Sequence, residues 1–417
     1  MLVTFSAGFI LLVIAYGSYM MTRDMFHPAV VFSMVWGISI TLLTFLPLLG
    51  YFSIEHEVLL LYILSGFVFS ITALFTQWYF HGKMTNQNKN KLPFIKVKTR
   101  YLLYFIFIIH IVIIPQWYND IMNATGGGSI YRISYMLRNL QTHGEKIHGI
   151  LVANYFTLGL AVIPILTILY VQKQIRGFTY IIALMPWLMM SLVSNGRSSL
   201  IALLIALFVI YKLSGGKFTL RFYLIGLILF VTIFTGGAIL TAKQGITEDS
   251  SLNETLQAVF MNFSDYTFQG PILFSRYYAG LIHVSEQWSP LNGVYTLLNK
   301  VGMANLPKIN IKDYHYFSIL NDGNVYTIFF SIYPKVGILG ALLYTSLYSF
   351  ITTLFYFIGK RGNLLFLVLY SYLFSAMVLS IFSDRFGPDL YFYIKVIFFI
   401  ILITLLFRKK YVWNGKM

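Results

Sequence analysis

Arg197 is a permanent cation in an otherwise uncharged run from Phe178 to Tyr211, within the stretch SLVSNGRSSLIALL. A guanidinium presents a planar fork of donors that matches phosphate oxygens, whereas a lysine adds mobile point charge. Lys243, Lys335, Arg385 and Lys395 carry further positive charge into apolar surroundings. Cations converging at one membrane face suit an anionic lipid headgroup, a diphosphate above all. The plainer reading of Arg197 is a side chain that snorkels to headgroups and anchors its turn. Lys335 and Lys395 equally fit snorkelling, or pairing with Asp384 or Asp389. Glu55-His56-Glu57 has metal-ligand residue types, and NATGGGSIYR (residues 123–132) could wrap phosphate with backbone amides beside Arg132. A solvated loop is the favoured reading of both, and neither a metal nor a cofactor is expected.

These residues need helices to hold them. The chain has 417 residues, 58% of them apolar and only 11% charged, whereas a soluble domain carries roughly a quarter charged residues. The excess lies in repeated apolar stretches of about 16–24 residues, the length that crosses a bilayer as a helix. The fold class predicted is an all-α polytopic membrane protein, a single integral membrane domain over residues 1–417. Its eleven expected spans are 2–21, 28–50, 58–80, 101–118, 150–171, 178–193, 198–213, 222–242, 326–358, 363–382 and 390–407, with room for a break at Pro334 in the ninth. Residues 1–21 lack a basic leader and a cleavage site, so a retained first span is expected. With no cysteine, disulfides, thiolate metal sites and cysteine nucleophiles are excluded.

Charge sets the sidedness. The connections 22–27, 81–100, 172–177, 212–221 and 359–362, with the tail from Arg408, hold 18 of the 30 Lys and Arg but only one acid, Asp24. Basic residues in short connections mark the cytoplasmic side. The N-terminus is therefore expected outside and the C-terminus inside. The net charge of +16 is then mostly a topology signal, and no nucleic-acid partner is expected. Two long connections fall on the outer side, 119–149 and 243–325, and connections of that length in compact proteins are usually functional or disordered. The second is too aromatic and varied for disorder, and Ser251-Leu-Asn-Glu254 has the spacing of a capping box that opens a surface helix. The run 178–213 must go out and return, turning at Ser194–Arg197. Each arm of about 16 residues spans roughly 24 Å against a ~30 Å hydrocarbon core, so the turn is expected to line a wet cavity at or below the outer interface.

The SNGRSSLIALLIAL turn, the long outer connection late in the chain and NDGNVYTIFFSIYPKVGILGALLY from Asn321 together resemble the bacterial oligosaccharide repeat-unit polymerases of the O-antigen polymerase type. The last stretch is similar to the family's Asn-x-Tyr-Thr segment followed by Gly-x-x-Gly, here Asn324, Tyr326, Thr327, Gly337 and Gly340. Family members often carry an acid before that first glycine, where this chain has Pro334-Lys335-Val336. The resemblance implies a GT-C-like glycosyltransferase of the bacterial inner membrane that acts in lipopolysaccharide or other surface-polysaccharide biosynthesis. It would move a growing glycan from undecaprenyl diphosphate to a new lipid-linked repeat unit on the periplasmic side. The implied partners are that lipid-linked glycan as donor and acceptor, membrane lipid, and a separate protein that regulates chain length. By analogy with the related O-antigen ligases, Arg197 and Arg276 would hold the diphosphate and His315 would act near the acceptor.

Such a transfer needs cations to stabilise the charge developing on the leaving diphosphate. It also needs a histidine or carboxylate to take the proton of the attacking hydroxyl. Candidate bases in the long connection are His315, Asp313, Asp322 and Asp265, with Asp322-Gly323 also good turn chemistry. Lys243, Lys335 and Arg385 are the further candidate cations, and Asn324 and Tyr326 fit either a sugar contact or a helix start. A ligase of the same plan, or a flippase for the same lipid, is the alternative. A transporter usually shows repeated halves and midplane ionisable residues, and the sequence shows neither.

Overall fold

The structure is a computed structural model that describes residues 1–84, 97–142, 145, 147–194, 197–220, 224, 226, 228–229, 231–232, 235–236, 251–284, 290–303, 305 and 313–408. Among these the chain is mostly helical, and seven helices are long and apolar enough to cross a membrane. They are Leu2–Thr22, His56–Phe80, Thr99–Thr125, Ile150–Val171, Tyr333–Lys360, Leu364–Ile381 and Leu390–Phe407. Shorter apolar helices run Pro28–Leu43 and Gly177–Val193, and a third covers Ser199–Leu213. Most of the expected span 222–242 lies outside the described residues.

The chain clusters into two compact units. The first comprises Met1–Lys89, Lys243–Gly359 and Leu369–Phe392. In it α1 (Leu2–Thr22) packs along α2 (Pro28–Leu43) and α3 (His56–Met84). The close approach of α1 and α2 depends on a missing side chain: a Cβ on Gly8 would lie 2.6 Å from the backbone nitrogen of Thr41. Small residues of this kind let helices meet in lipid, where apolar burial alone gives them no reason to. The core is aromatic. Phe32 stacks on Phe69, and Trp36 and Tyr62 pack against Phe329. The polar edges of these rings are satisfied, since Trp36 donates to Ser380 Oγ at 2.9 Å and Tyr62 to the Pro271 carbonyl at 3.3 Å, as a water-free interior requires.

The second unit comprises Asn90–Ala242, Lys360–Val368 and Tyr393–Met417. It holds α4 (Thr99–Thr125), α5 (Ile130–Thr142), α6 (Ile150–Val171), α7 (Gly177–Val193) and α8 (Arg197–Leu213). His110 is buried among them. Its Nε2 donates to the Ala183 carbonyl at 3.1 Å, and its Nδ1 takes the Tyr155 hydroxyl at 2.7 Å. A carbonyl only accepts, so the ring is held as one neutral tautomer.

The later helices are α9 (Leu252–Tyr278), α10 (Asn292–Lys300), α11 (Tyr333–Lys360), α12 (Leu364–Val378) and α13 (Leu390–Phe407). The capping box read from sequence is present: Ser251 Oγ accepts from Glu254 N at 3.3 Å, and Glu254 Oε2 accepts from Ser251 N at 2.8 Å. The helix that it opens is not confined to a surface, for Phe268, Ile272, Leu273 and Phe274 are buried in the first unit. The ninth expected span also differs. Residues 324–327 have no regular secondary structure, 328–331 form a 3-10 turn, and α11 starts only at Tyr333. Its break falls at Gly337, with φ 63° and ψ −161°, and not at Pro334. Proline at the second helical position costs nothing because its nitrogen has no helical acceptor there.

Candidate functional site

In the first unit, connections that the charge pattern puts on the outer side come together. His315–Tyr316 (β1) and Asp322–Gly323 (β2) form a small antiparallel ladder with His315 opposite Gly323 and Tyr316 opposite Asp322. The turn is made by 317–321, where Phe317 N donates to the Asn321 carbonyl and Asn321 N to Ser318 Oγ. Asp322-Gly323, read from sequence as turn chemistry, is thus a strand. The hairpin is fixed to the connection before α3: Ile319 N donates to the Gly50 carbonyl at 2.9 Å, and Phe52 N to the Phe317 carbonyl at 3.1 Å. Asp265, from α9, closes the arrangement by accepting from Tyr51 Oη at 3.0 Å and Asn321 Nδ2 at 3.2 Å. Its carboxylate is buried and engaged, which makes this candidate base a structural link.

The other outer-loop candidates are placed unevenly. His315 donates Nε2–H to the His283 carbonyl at 2.8 Å, which leaves Nδ1 as its accepting nitrogen. Asp322 and Asp313 are exposed, and the backbone carbonyl of Asp313 accepts from Tyr326 Oη at 3.3 Å. Tyr326 is 0% exposed, stacked on Phe330, so its work here is packing before the helix begins. Asn324 is half-buried beside it. Lys335 is exposed in the first turn of α11, and not several turns inside a span. Lys395, in the second unit, donates from Nζ to Asn154 Oδ1 at 3.0 Å. Lys243 lies outside the described residues.

Arg276 ends α9 with its guanidinium 4.1 Å over the ring of Phe52. Its Nε is buried and has no hydrogen-bond partner among the described residues. A cation on a ring face gains about 0.5–2 kcal/mol. Nearby in sequence, Tyr278 donates to Glu57 Oε2 at 2.8 Å, and Glu55 N donates to Ser275 Oγ at 2.8 Å. The IEHE segment therefore pins the start of α3 to the end of α9.

Arg385 is half-buried in the connection 382–389, next to Asp384, which is 4% exposed. Asp384 accepts from Ser331 Oγ and Tyr344 Oη, both at 2.6 Å, and from Phe386 N at 2.8 Å. Burial nevertheless outweighs these donors and pushes its carboxyl up to about 6. A raised carboxyl favours the protonated fold. Its contribution is complete below the ordinary carboxylate value near 4 and is lost as pH rises through about 6, a cost of about 3 kcal/mol. Asp384→Asn keeps an accepting oxygen and cannot ionise. In detergent, the wild-type thermal midpoint is expected to fall from pH 5 to pH 7, and the Asn variant to lose that part of the pH dependence.

The second unit carries Arg197, as the first residue of α8 and not within a non-helical turn. Both arms of the expected out-and-back pair are present as helices of 17 residues each. Three residues before Arg197, Ser194 caps the end of α7. Its Oγ accepts from Trp117 Nε1 at 3.1 Å and lies 3.4 Å from His148 Nε2. The other face of that imidazole looks at Asp120, with Nδ1 3.7 Å from Oδ2, and Asp120 Oδ2 also accepts from Gly149 N at 3.1 Å. Burial lowers the His148 pKa, and the carboxylate opposes that shift. The glycine run 126–128, a phosphate cradle by residue type, ends α4 through left-handed Gly126 and leads the chain into α5.

Comparison with protein-family models, curated proteins and solved structures finds no match to this chain. The weight of any assignment therefore falls on the residues themselves.

The Asp120–His148–Ser194 line has no local sequence signal. Its members are 28 and 46 residues apart and come from the end of α4, the connection before α6 and the end of α7. Only the packing of those helix ends brings them together. A single hint was present: three polar residues able to share protons all fall on connections or span ends assigned to the outer side.

Proposed function

We propose that this chain is a membrane glycosyltransferase that polymerises polyprenyl-diphosphate-linked oligosaccharide repeat units at the outer face of a bacterial inner membrane. In this reading the protein has eleven spans, a periplasmic N-terminus and a cytoplasmic C-terminus. Cations from the candidate set Arg197, Arg276, Lys243, Lys335 and Arg385 neutralise the diphosphate, and a histidine or carboxylate takes the proton of the acceptor hydroxyl. The observation that carries the proposal is the built character of the late outer connection. Residues 313–333 are folded onto Gly50–Phe52 and α9, next in space to an arginine whose buried Nε has no partner among the described residues.

Sidedness supports the reading. In the first unit the connections around 50–52, 313–323 and 382–389 pack with one another or with the 328–331 turn, and all are outer by charge. On the basic side, Tyr356 donates to Asp24 and Tyr370 to the Phe26 carbonyl. In the second unit Val97 pairs with Arg408, and Thr99 donates to Gln174 at 3.3 Å. Contacts thus join connections of the same assigned side.

The direct test is reconstitution. Purified protein in lipid nanodiscs, given polyprenyl-diphosphate-linked repeat units, is expected to yield a ladder of products with two or more units on a gel. Products that stay at one unit would sink the polymerase reading. A glycan that instead leaves the lipid for a lipid A core would identify the ligase of the same plan.

A further inference from the structure

We infer that His148 is the group that takes the proton from the attacking hydroxyl, with Asp120 and Ser194 as its positioning residues. The inference rests on the glycosyl-transfer reading above and adds to it a residue that the sequence did not single out.

The order of atoms is the first argument. Asp120 Oδ2 faces Nδ1 and Ser194 Oγ faces Nε2, at 3.7 and 3.4 Å. A carboxylate next to Nδ1 favours the tautomer with its proton there, which leaves Nε2 as the accepting nitrogen. The buried Nδ1 has no hydrogen bond and is oriented only by the charge of Asp120 at 3.7 Å, while the Nε2 contact at 3.4 Å is long, so the ring is directed without being locked. Catalytic contacts often have this looseness before substrate binds. The carboxylate is itself fixed by the Gly149 amide, and Ser194 by the Trp117 indole N–H. The ring packs on Phe156 with centroids 5.7 Å apart, and its side chain keeps 13% exposure.

Placement is the second argument. His148 belongs to the same unit as Arg197, and Ser194, which it meets, precedes Arg197 by three residues. His315 belongs to the other unit, spends Nε2–H on a backbone carbonyl and has no carboxylate beside it among the described residues. Burial also holds His148 below the ordinary histidine value, hence neutral and able to accept a proton at neutral pH.

The acceptor O–H bond breaks and its proton goes to His148 Nε2. The oxygen's electron pair forms a bond to the anomeric carbon of the donor glycan. The bond from that carbon to the diphosphate oxygen breaks, and its electron pair leaves on the polyprenyl diphosphate. The imidazolium then returns its proton to water.

The test uses the full-length chain in cells that lack their own copy, with their own lipid-linked repeat units as substrate and the glycan ladder as readout. Wild type restores the ladder. His148→Gln and His148→Ala, at wild-type membrane abundance, are expected to lose it by about 100-fold or more. Asp120→Asn is expected to fall by roughly 10-fold and Asp120→Glu to recover most of that loss, a contrast that a merely structural carboxylate would not produce. Either His148 variant retaining a near-wild-type ladder overturns the inference and leaves the polymerase reading standing. If both His148 variants fail to accumulate, an Asp120→Asn chain with an undiminished ladder overturns it instead. A wild-type chain that leaves the units single overturns the polymerase reading, and this inference with it.

Discussion

Replacing Arg197 with alanine is expected to abolish the long-chain glycan ladder while the protein remains in the membrane at wild-type abundance. The expectation follows from charge and position. Leaving-group departure from a lipid diphosphate concentrates negative charge on phosphate oxygens, and without that charge being met the transfer stalls. Removing one donor aimed at a developing oxyanion costs about 100- to 1,000-fold in rate. Arg197 begins α8, whose first amides have no helical acceptor and add partial positive charge to the same end. Arg197→Lys should give an intermediate result, because the charge survives and the two-point geometry does not. A full ladder from the alanine variant would remove Arg197 from the diphosphate site. The same variant should leave the thermal midpoint in detergent nearly unchanged, which separates loss of chemistry from loss of fold.

The second large effect is on stability. Gly337→Val is expected to lower the thermal midpoint sharply and to deplete folded protein from the membrane. At φ 63° and ψ −161° the backbone lies in a region that is open in practice to glycine alone. Any side chain there costs on the order of 1–3 kcal/mol, and a β-branched one more. Gly340, the partner in the Gly-x-x-Gly pair, is constrained differently: a Cβ on it would lie 2.1 Å from Val336 Cγ2. Val336→Ala should therefore relieve Gly340→Ala and should do nothing for Gly337→Ala. Thermal shift on the three single and two double variants decides this. If Val336→Ala rescues both, the strain at Gly337 is not the cause of its requirement.

The helices were legible because burial in lipid writes itself into composition: each span must be apolar along its whole length, which no soluble helix requires. The capping box was legible because it is a three-residue spacing with local chemistry. What escaped was everything set by packing between distant segments. The start of α11 is one case: nothing in Asn324–Ser331 signals that it stays out of the helix and then makes a 3-10 turn, because the buried ring of Tyr326 and its bond to the Asp313 carbonyl decide that. Asp265 is another. As a residue type it qualified as a base, and only its bonds to Tyr51 and Asn321 show its carboxylate already engaged. Lys395 had two plausible acid partners in its own stretch and met an amide oxygen from a helix more than 200 residues earlier. His148 was passed over because a lone loop histidine carries no pattern.

The pairing of Tyr51 with Ser318 has a consequence for how the protein is made. Residue 51 leaves the ribosome early and its partner follows 267 residues later, which at about 5–20 residues per second is a delay of tens of seconds. Through that interval the Gly50–Phe52 edge waits outside the membrane with its backbone hydrogen bonds unmade. The Phe52 ring waits as well, until Arg276 arrives to cover it. This part of the first unit is therefore finished late, after most of the helices have been made, and a nascent chain cannot complete it before its final third has emerged.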